Sequence, residues 1–352
     1  MDSLAPLARP KRVFDVAVTL LMAPLWVPVC LIAALALRIT AGTPVTYRSR
    51  RRVVGSRTQT VTKFRTMVRN AEQVLNRETV PITDTCFLNI PPEHPVYTPV
   101  GRALERYALT ELPQLLHVLA GKMSLVGNRP LPENVVRALR QRYPYAEDRF
   151  LAPGGLTGPV QLIGRDEVSD EDRLAIEIDY CLLAIFSYRW RVDALILWNT
   201  VMVALKLKPG YDVAQVRSML AACLRGRRTG IGPGADRRQT SLRFAVPRRQ
   251  SLVINGDEFV INDFGYRGLR LTGDRPLQLK GPARFSVVDG PVGELRARVC
   301  WTRKLPDGPF EIGLALAPGD ASALHIGQYM QHAPDSPMRH RRPVLARLLR
   351  RA

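Results

Sequence analysis

The chain has 352 residues, of which 46% are hydrophobic and 23% charged, which is ordinary for a globular protein and allows two or three domains. Its formal charge of +20 is not ordinary and indicates an anionic partner, such as nucleic acid, acidic lipid or a phosphorylated substrate. The five cysteines are scattered and show no metal-ligand spacing, so we interpret them as reduced cytosolic thiols.

The first predicted element is an almost wholly apolar segment at residues 13–37, long enough to cross ~30 Å of hydrocarbon as one helix. Pro24 and Pro28 lie within it, and proline kinks a helix because it removes a backbone hydrogen bond. Basic residues flank both ends, which favours the cytoplasmic face for each. They are Arg9, Lys11, Arg12, Arg38, Arg48, Arg50, Arg51 and Arg52. The segment therefore predicts either a re-entrant helix that bends near the prolines or a single-pass anchor.

Residues 109–130 read LTELPQLLHVLAGKMSLVGNRP and combine a predicted helix, a short apolar strand and two glycine turns. Pro113 marks the start of the helix, Glu111 lies just before it, and Gly121 marks its end. Its apolar face consists of Leu112, Leu115, Leu116 and Leu119. Arg129 follows the second glycine turn. A carboxylate at a helix start and an arginine near a glycine turn suit a metal and phosphate site, but a plain α/β core gives the same pattern.

Further helices are predicted at residues 71–75, 133–149 and 170–185, and a glycine-rich loop at residues 152–161 lets backbone amides approach an anion. Residues 190–207 are again apolar. Because Arg191 and Asp193 interrupt them, we predict an amphipathic helix on the membrane surface and not a second span. Residues 208–236 are rich in arginine, glycine and proline, which is typical of a linker.

The second half of the chain changes to short alternating segments separated by Asn-Gly and Asp-Gly turns. Strands are predicted at residues 251–254, 258–262, 268–271, 283–288, 295–301 and 311–316. Together they indicate a small antiparallel β-barrel. The arginine-rich tail at residues 338–352 either lies on anionic lipid or is disordered.

Several of these motifs, taken in order over roughly residues 11–205, resemble the bacterial sugar transferases, which are polyprenyl-phosphate hexose-1-phosphate transferases. The motifs are KRVFD at residues 11–15, GTPVTYR at residues 42–48, KFRTM at residues 63–67, the stretch at residues 109–130 and the APGGLTG loop at residues 152–158. The resemblance implies an α-rich α/β, membrane-associated catalytic-type domain with a re-entrant N-terminal membrane helix.

The resemblance implies transfer of a hexose 1-phosphate from a nucleotide (UDP) sugar to polyprenyl phosphate, which starts an exopolysaccharide or other surface glycan. The family route is a ping-pong one, in which an aspartate attacks the β-phosphate and the neighbouring glutamate, here Glu111, holds Mg²⁺ or Mn²⁺. Thr110 occupies the position of that aspartate. Three interpretations follow: Glu111 is the nucleophile, a neighbour activates Thr110, or the chain is a non-catalytic relative that binds lipid or sugar and acts as a membrane-bound scaffold or regulator of glycan synthesis.

The resemblance also implies a set of substrate- and phosphate-binding residues. They are Lys63, Arg65, Arg106, Arg129, Gly155, Thr157 and Arg165. Three positions depart from the family pattern. His94 and Val96 replace the acid and the arginine of an Asp-Pro-Arg motif, Glu105 occupies an arginine position with Arg106 next to it, and Asn128 replaces a proline.

The second half resembles a PilZ domain through an arginine run and the DFGYRG motif at residues 263–268. In that family these motifs clamp cyclic di-GMP, which implies a ligand site at Arg237, Arg238, Arg243, Asp263 and Gly268. The alternative is a barrel that docks on the enzyme without a ligand.

The predicted organisation is a membrane anchor at residues 1–38, a transferase-like domain at 39–207, a linker at 208–236, a PilZ-like barrel at 237–325 and a basic tail at 326–352. We expect the chain at the bacterial inner membrane, with its globular domains on the cytoplasmic side. Expected partners are membrane lipid, polyprenyl phosphate, a nucleotide sugar, cyclic di-GMP and other glycan-assembly proteins. Nucleic acid is not expected, because the chain has an apolar segment and no recognised nucleic-acid module.

Overall fold

The computed structural model of the protein describes residues 9–69, 71, 90, 94–163, 168–224, 243–246, 250–266, 268–287, 292–306, 308–317 and 326. The chain divides into two units, residues 1–244 and 245–352. Arg165, Arg237, Arg238, most of the helix expected at residues 71–75 and the basic tail lie outside the described residues.

The apolar N-terminal segment forms two helices, α1 (Arg9–Leu21) and α2 (Ala23–Thr40), separated at Met22. The break lies two residues before Pro24, which occupies the first turn of α2. Proline is tolerated there because the backbone N–H groups of a first turn make no hydrogen bond within the helix. Pro28 lies inside α2. The 18 residues of α2 have the length and composition of a membrane span. Its exposed large apolar side chains include Leu25, Leu31, Ile32, Leu35 and Ile39.

The start of α1 and the end of α2 both pack on the globular part of the first unit. Near its start, α1 buries Lys11 and Asp15. Near its end, α2 buries Leu37 in a cluster with Phe64 and Leu104. The chain therefore leaves the globular part of this unit along α1 and returns to it along α2.

An antiparallel hairpin follows, formed by β1 (Thr46–Val54) and β2 (Arg57–Phe64). The next described helix, α3 (Pro99–Arg106), begins at Thr98, whose side chain accepts a hydrogen bond from the Gly101 amide.

The single helix expected after Glu111 is instead a 3₁₀ helix, Leu109–Gln114, continued by the short helix α4 (Leu115–Leu119). Glu111 therefore lies inside a helical element and not before it. Pro113 favours this tighter turn because it lacks the N–H that an α-helical hydrogen bond requires. Leu116, predicted on the apolar face, is 58% exposed. Gly121, with φ +72°, ends the segment as predicted.

The apolar run after Gly121 forms β3 (Ser124–Val126), which pairs in parallel with β4 (Gly155–Thr157). A Cβ atom on Gly155 would lie 2.0 Å from the amide nitrogen of Gly127, so this pairing requires glycine.

The single helix expected at residues 133–149 is divided into α5 (Glu133–Arg142) and a 3₁₀ helix, Ala146–Phe150. Tyr143 is extended there, because a residue before proline disfavours the helical region. A second 3₁₀ helix, Pro159–Leu162, follows β4.

Three helices complete the first unit: α6 (Asp170–Phe186), α7 (Trp190–Ala204) and α8 (Val213–Leu224). The first confirms the helix expected at residues 170–185. The prediction of a linker at residues 208–236 is wrong for α8, which buries Val216 and Leu220 one turn apart.

The second unit is an antiparallel sheet that confirms five of the six predicted strands with small changes of length. The strand predicted at residues 295–301 is instead divided at Arg296 between the end of one strand and the start of the next. The strands of this sheet are β6 (Ser251–Ile254), β7 (Asp257–Gly265), β8 (Gly268–Gly273), β9 (Ala283–Val287), β10 (Val292–Leu295), β11 (Ala297–Lys304) and β12 (Phe310–Leu316), and a short β5 (Arg243–Ala245) pairs with β7. The strand order is β10-β9-β6-β7-β8-β12-β11. Arg296 alone separates β10 from β11, so the two ends of the sheet meet there and the sheet curls as a barrel does.

Candidate active site

The hairpin of β1 and β2 presents two basic side chains on one face. Tyr47 lies opposite Lys63 in the register, and Arg51 lies four residues further along the same strand. Because side chains alternate across a strand, Tyr47, Arg51 and Lys63 share a face, whereas Arg50 belongs to the other. The Lys63 ammonium lies 5.7 Å from the centre of the Tyr47 ring.

The 3₁₀ helix Leu109–Gln114 packs against β2 and brings Glu111 to this face. Glu111 accepts a hydrogen bond from the Arg129 guanidinium through its Oε1 atom. Arg51 donates from Nη1 to the carbonyl oxygen of Pro130, at 3.1 Å. We call Arg51, Lys63 and Arg129 the basic cluster. Its carboxylates are Glu111 and Glu105, and Glu105 also accepts a hydrogen bond from the Thr66 hydroxyl at 3.2 Å.

The electrostatics of the basic cluster favour a bound anion. Burial lowers the pKa of Lys63; Arg51 and Arg129 lower it further, against the opposing effects of Glu105 and Glu111. Burial and then Arg129 also lower the pKa of Arg51, against Glu111. The three cations exceed the two carboxylates by one charge. A bound phosphate would reduce the repulsion among the three cations and would take the place of water that burial has removed from them.

Thr110 lies below this surface and is 4% exposed. Within the described residues its hydroxyl donates no hydrogen bond to a carboxylate or a histidine, although a hydroxyl nucleophile needs such a base. Its predicted catalytic role, like that of Glu111, stays a prediction.

The other phosphate-binding candidates lie in supporting positions. Arg65 donates to the carbonyl oxygens of Ala41 and Gly42 just after α2. Gly155 holds the pairing of β3 with β4. The Thr157 hydroxyl lies 2.8 Å from that of Thr200. Arg106 is exposed at the end of α3. The structure therefore brings Lys63 and Arg129 to Glu111 and places these four residues in the surrounding frame.

Sequence reasoning missed Arg51, which it treated only as a basic flank of the membrane segment. The signal that could have found it is the strand alternation, because Arg51 and Lys63 fall on the same face only once β1 and β2 are aligned. The function of Asn128 was also missed. Its Nδ2 atom donates to the carbonyl oxygens of Arg149 and Glu177, both at 2.9 Å, so the side chain holds the turn before Arg129 in place.

A buried ion pair supports the same turn. Arg149 and Glu177 form two parallel hydrogen bonds, from Nε to Oε2 at 2.6 Å and from Nη2 to Oε1 at 2.7 Å. The Arg149 side chain is 1% exposed and that of Glu177 is 3% exposed. Arg149 also donates to the carbonyl oxygen of Arg129 at 3.1 Å. The turn that presents Arg129 is thus tied to α6 through buried charges.

A second network of buried polar side chains holds α1 in place. Lys11 donates from Nζ to Asp193 Oδ2 at 2.6 Å and to the carbonyl oxygen of Val126 at 2.9 Å. Asp15 accepts from the Ser124 hydroxyl at 2.7 Å, and Tyr180 donates to Asp193 at 2.7 Å. These contacts join α1, β3, α6 and α7, which explains the lysine and aspartate of the KRVFD motif structurally.

The adjacent Arg12 links α1 to the segment that carries Glu111. Its guanidinium donates to the carbonyl oxygens of Val118, at 2.5 Å, and Leu119, at 2.8 Å, at the end of α4. A cation here satisfies carbonyl groups that lack helical partners and opposes the negative end of the helix dipole.

The described residues contain no group of three histidine, cysteine, aspartate or glutamate side chains that could hold a metal ion. Glu111 is the one carboxylate of the basic cluster that was predicted as a metal ligand. Its Oε1 atom is bound to Arg129, so Oε2 is the atom left for a cation. This donor set fits Mg²⁺ that shares one carboxylate with substrate phosphates, which is a common arrangement for this ion.

In the second unit, the predicted ligand residue Asp263 pairs with Arg270, with 2.6 Å between Oδ2 and Nε. Arg270 also lies 3.4 Å from Glu311, which binds Arg303 at 2.6 Å. The Asp263 carboxylate is therefore engaged across the sheet. Gly268 lies opposite Gly265 at the hairpin between β7 and β8. Arg243 lies in β5, and the other predicted clamp arginines are outside the described residues.

Several proteins of known name are similar to the first part of this chain. The Sinorhizobium fredii exopolysaccharide production protein ExoY is 30% identical over 196 residues, which cover 54% of this chain and 83% of that protein. The Caulobacter vibrioides UDP-glucose:undecaprenyl-phosphate glucose-1-phosphate transferase is 33% identical over 212 residues, or 56% of this chain and 68% of its own length.

An Aeromonas hydrophila UDP-N-acetylgalactosamine-undecaprenyl-phosphate N-acetylgalactosaminephosphotransferase is 29% identical over 196 residues, or 55% of this chain. The match spans only 43% of that relative's length. The pattern of the family described as "Bacterial sugar transferase" matches residues 7–207, which is more than half of the chain and includes every member of the basic cluster. The chain therefore belongs to the bacterial sugar transferase family.

Proposed function

We propose that the protein transfers a sugar 1-phosphate from a UDP-sugar to undecaprenyl phosphate and so starts an exopolysaccharide or another surface glycan. The observation that carries this proposal is the basic cluster of Arg51, Lys63 and Arg129 around Glu111. It offers three cations to phosphate groups, and the chain's family relatives are named for reactions between UDP-sugars and undecaprenyl phosphate.

We propose that α2 enters the membrane as part of a re-entrant pair with α1, with the globular unit on the cytoplasmic side. The start of α1 and the end of α2 pack on that same unit, whereas the two ends of a spanning helix would lie on opposite sides of the bilayer. The exposed apolar side chains of α2 support lipid contact. The basic cluster would then lie close to the surface where a lipid phosphate is presented.

Mg²⁺ is part of the proposal. When bound, it would neutralise charge on the donor diphosphate. The residues of the chain supply the rest: Glu111 offers one oxygen ligand, Arg129 orients Glu111, and Arg51 and Lys63 contact phosphate oxygens. Mn²⁺, a hard oxygen-binding cation of the same charge, would suit this donor set as well.

The test of this function is release of UMP. Detergent-extracted full-length protein is incubated with undecaprenyl phosphate, Mg²⁺ and, in turn, UDP-glucose, UDP-galactose and UDP-N-acetylgalactosamine. We expect UMP release with at least one donor, dependent on the lipid phosphate and abolished by EDTA.

An active relative from the same family serves as the positive control. If no donor yields UMP under conditions in which that relative turns over, the transferase proposal is wrong. The protein would then be better described as a membrane-bound scaffold or regulator of polysaccharide synthesis, which is the alternative interpretation.

We also propose that the second unit is a PilZ-like barrel that binds cyclic di-GMP and regulates the transferase. The strand order and the DFGYRG hairpin support this proposal, and binding would require Asp263 to exchange Arg270 for the nucleotide. Calorimetric titration of the full chain should give saturable binding that Arg243→Ala weakens at least tenfold. Arg298→Ala, which removes an exposed arginine of β11, is the matched control. Equal binding by Arg243→Ala and the parent would refute the assigned clamp.

A further inference from the structure

We propose that α7 lies in the headgroup region of the membrane, where it presents a face of exposed tryptophan and aliphatic side chains to lipid and basic residues at both ends to acidic headgroups. The proposal rests on the proposed membrane position of α1 and α2 and goes beyond the transferase reaction, on which it does not depend. It follows from the burial pattern of α7, from the charges that flank the helix and from its contact with α1.

Helix α7 buries its polar side chains and exposes apolar ones, which is the reverse of a helix that faces water. Asp193 and Asn199 are 1% and 4% exposed, whereas Trp198 is 58% exposed. The large apolar side chains that α7 exposes are Trp190, Leu195, Trp198, Val201 and Leu205. From Leu195 to Leu205 they recur every three or four residues and so lie along one face of the helix. A continuous exposed apolar face of this kind marks a surface that contacts lipid or protein.

The charges at the two ends of this face favour an acidic lipid surface as its occupant. Four exposed basic residues flank the face: Arg189, Arg191, Lys206 and Lys208. The Arg191 guanidinium lies 5.7 Å from the centre of the Trp190 ring. Asp193 is the one acidic residue in the sequence of α7, and because it is buried the exposed side of this helix has no carboxylate to repel an acidic headgroup. Tryptophan beside arginine or lysine is typical of the bilayer interface.

The start of α7 is joined to the start of α1, the first helix of the proposed membrane pair. Lys11 of α1 donates from Nζ to Asp193 Oδ2 at 2.6 Å, and both side chains are buried. Tyr188, just before α7, donates to the same oxygen at 3.1 Å. Helix α7 also packs on β3, which leads into the turn of Arg129. Lipid contact along α7 would therefore continue the membrane contact of α1 and α2 and hold the frame of the basic cluster against the membrane.

Quenching of tryptophan fluorescence by brominated lipid tests the position of α7. Of the four tryptophans, the full-length test protein keeps Trp198 and carries Trp26→Phe, Trp190→Phe and Trp301→Phe. It is reconstituted in vesicles of phosphatidylethanolamine and phosphatidylglycerol with bromine either near the headgroup or near the bilayer centre. We expect shallow bromine to lower Trp198 fluorescence at least twofold and deep bromine to lower it less. Fluorescence that neither bromine lowers, or that deep bromine lowers more, would overturn the proposal.

Two variants of the protein that keeps only Trp198 test the lipid-facing side of the helix, with folding checked by thermal unfolding. Val201→Asp/Leu205→Asp places two carboxylates on the exposed face, and we expect it to abolish the quenching because acidic headgroups repel them. Ala138→Asp adds a carboxylate at an exposed position of α5 and should leave the quenching unchanged. Full quenching in a folded Val201→Asp/Leu205→Asp protein would contradict the assigned face.

A protein that keeps only Trp26 reports on α2 and separates the two membrane proposals. Quenching of Trp26 without quenching of Trp198 would preserve the membrane position of α2 and refute that of α7. If Trp198 is not quenched and Trp198→Ser halves the particle mass measured by light scattering, the exposed face binds a second copy of the chain and not lipid. These measurements do not involve turnover, so a failure to release UMP would refute the transferase function alone.

Discussion

Arg129→Ala is expected to lower the rate of lipid-dependent UMP release by about 10²–10³-fold, which is the usual loss when one preorganised donor to a developing negative charge is removed. The side chain touches Glu111 directly, is 40% exposed and so remains accessible to a phosphate. Its loss would remove a cation and also free Glu111 to repel the donor diphosphate. The effect should therefore appear in kcat/KM.

The measurement is UMP release by full-length protein in detergent, with folding checked by thermal unfolding. Arg129→Lys keeps the charge but not the two-pronged geometry, so we expect partial activity. Arg137→Ala, which removes an exposed arginine of α5, is the matched control and should behave as the parent does. A folded Arg129→Ala protein with more than a third of the parental kcat/KM would remove Arg129 from the active site.

Glu177→Leu is expected to destabilise the first unit by about 3–5 kcal/mol, because it leaves the Arg149 charge buried without its partner. Arg149 and Glu177 are both nearly inaccessible and are joined by two hydrogen bonds. Since Arg149 also donates to the carbonyl oxygen of Arg129, the loss should disturb the turn that carries this site residue. Denaturant unfolding in micelles measures the change in free energy.

Two further variants test the cause. Glu171→Leu changes an exposed glutamate of the same helix and should alter the free energy of unfolding by less than about 0.5 kcal/mol. The double variant Arg149→Met/Glu177→Leu replaces both charges with apolar groups and should recover most of the loss. If Glu177→Leu unfolds like Glu171→Leu, the ion pair does not hold the turn.

Local patterns predicted many of the elements well. The strands of the second unit were found because alternation and Asn-Gly or Asp-Gly turns are encoded within a few neighbouring residues. Helix α6 was found for a similar reason, since Ser169 accepts a hydrogen bond from the Asp172 amide at its start and acidic residues fill its first turn. The helix boundaries that failed lie at Pro113 and at Tyr143 before a proline, where one local rule competes with another.

The candidate site was predicted less completely, because its members come from distant parts of the chain. Glu111 and Arg129 belong to one short stretch whose pattern indicated an anion site. Arg51 could be added only after the register of β1 and β2 showed which face it shares with Lys63. Conversely, the KFRTM motif predicted that Arg65 binds phosphate, yet its guanidinium contacts carbonyl oxygens just after α2.

The sequence by itself determined that this protein has an apolar N-terminal segment, a strongly basic charge, a sugar-transferase motif series and a β-rich second half, because composition and short-range periodicity are properties of neighbouring residues. Only the tertiary structure decided that Arg51, Lys63 and Arg129 lie near Glu111, that Thr110 is buried, and that Lys11 and Asp15 hold the first helix in place. Each of those facts depends on contacts between residues far apart in the chain, where register and burial select which side chains meet.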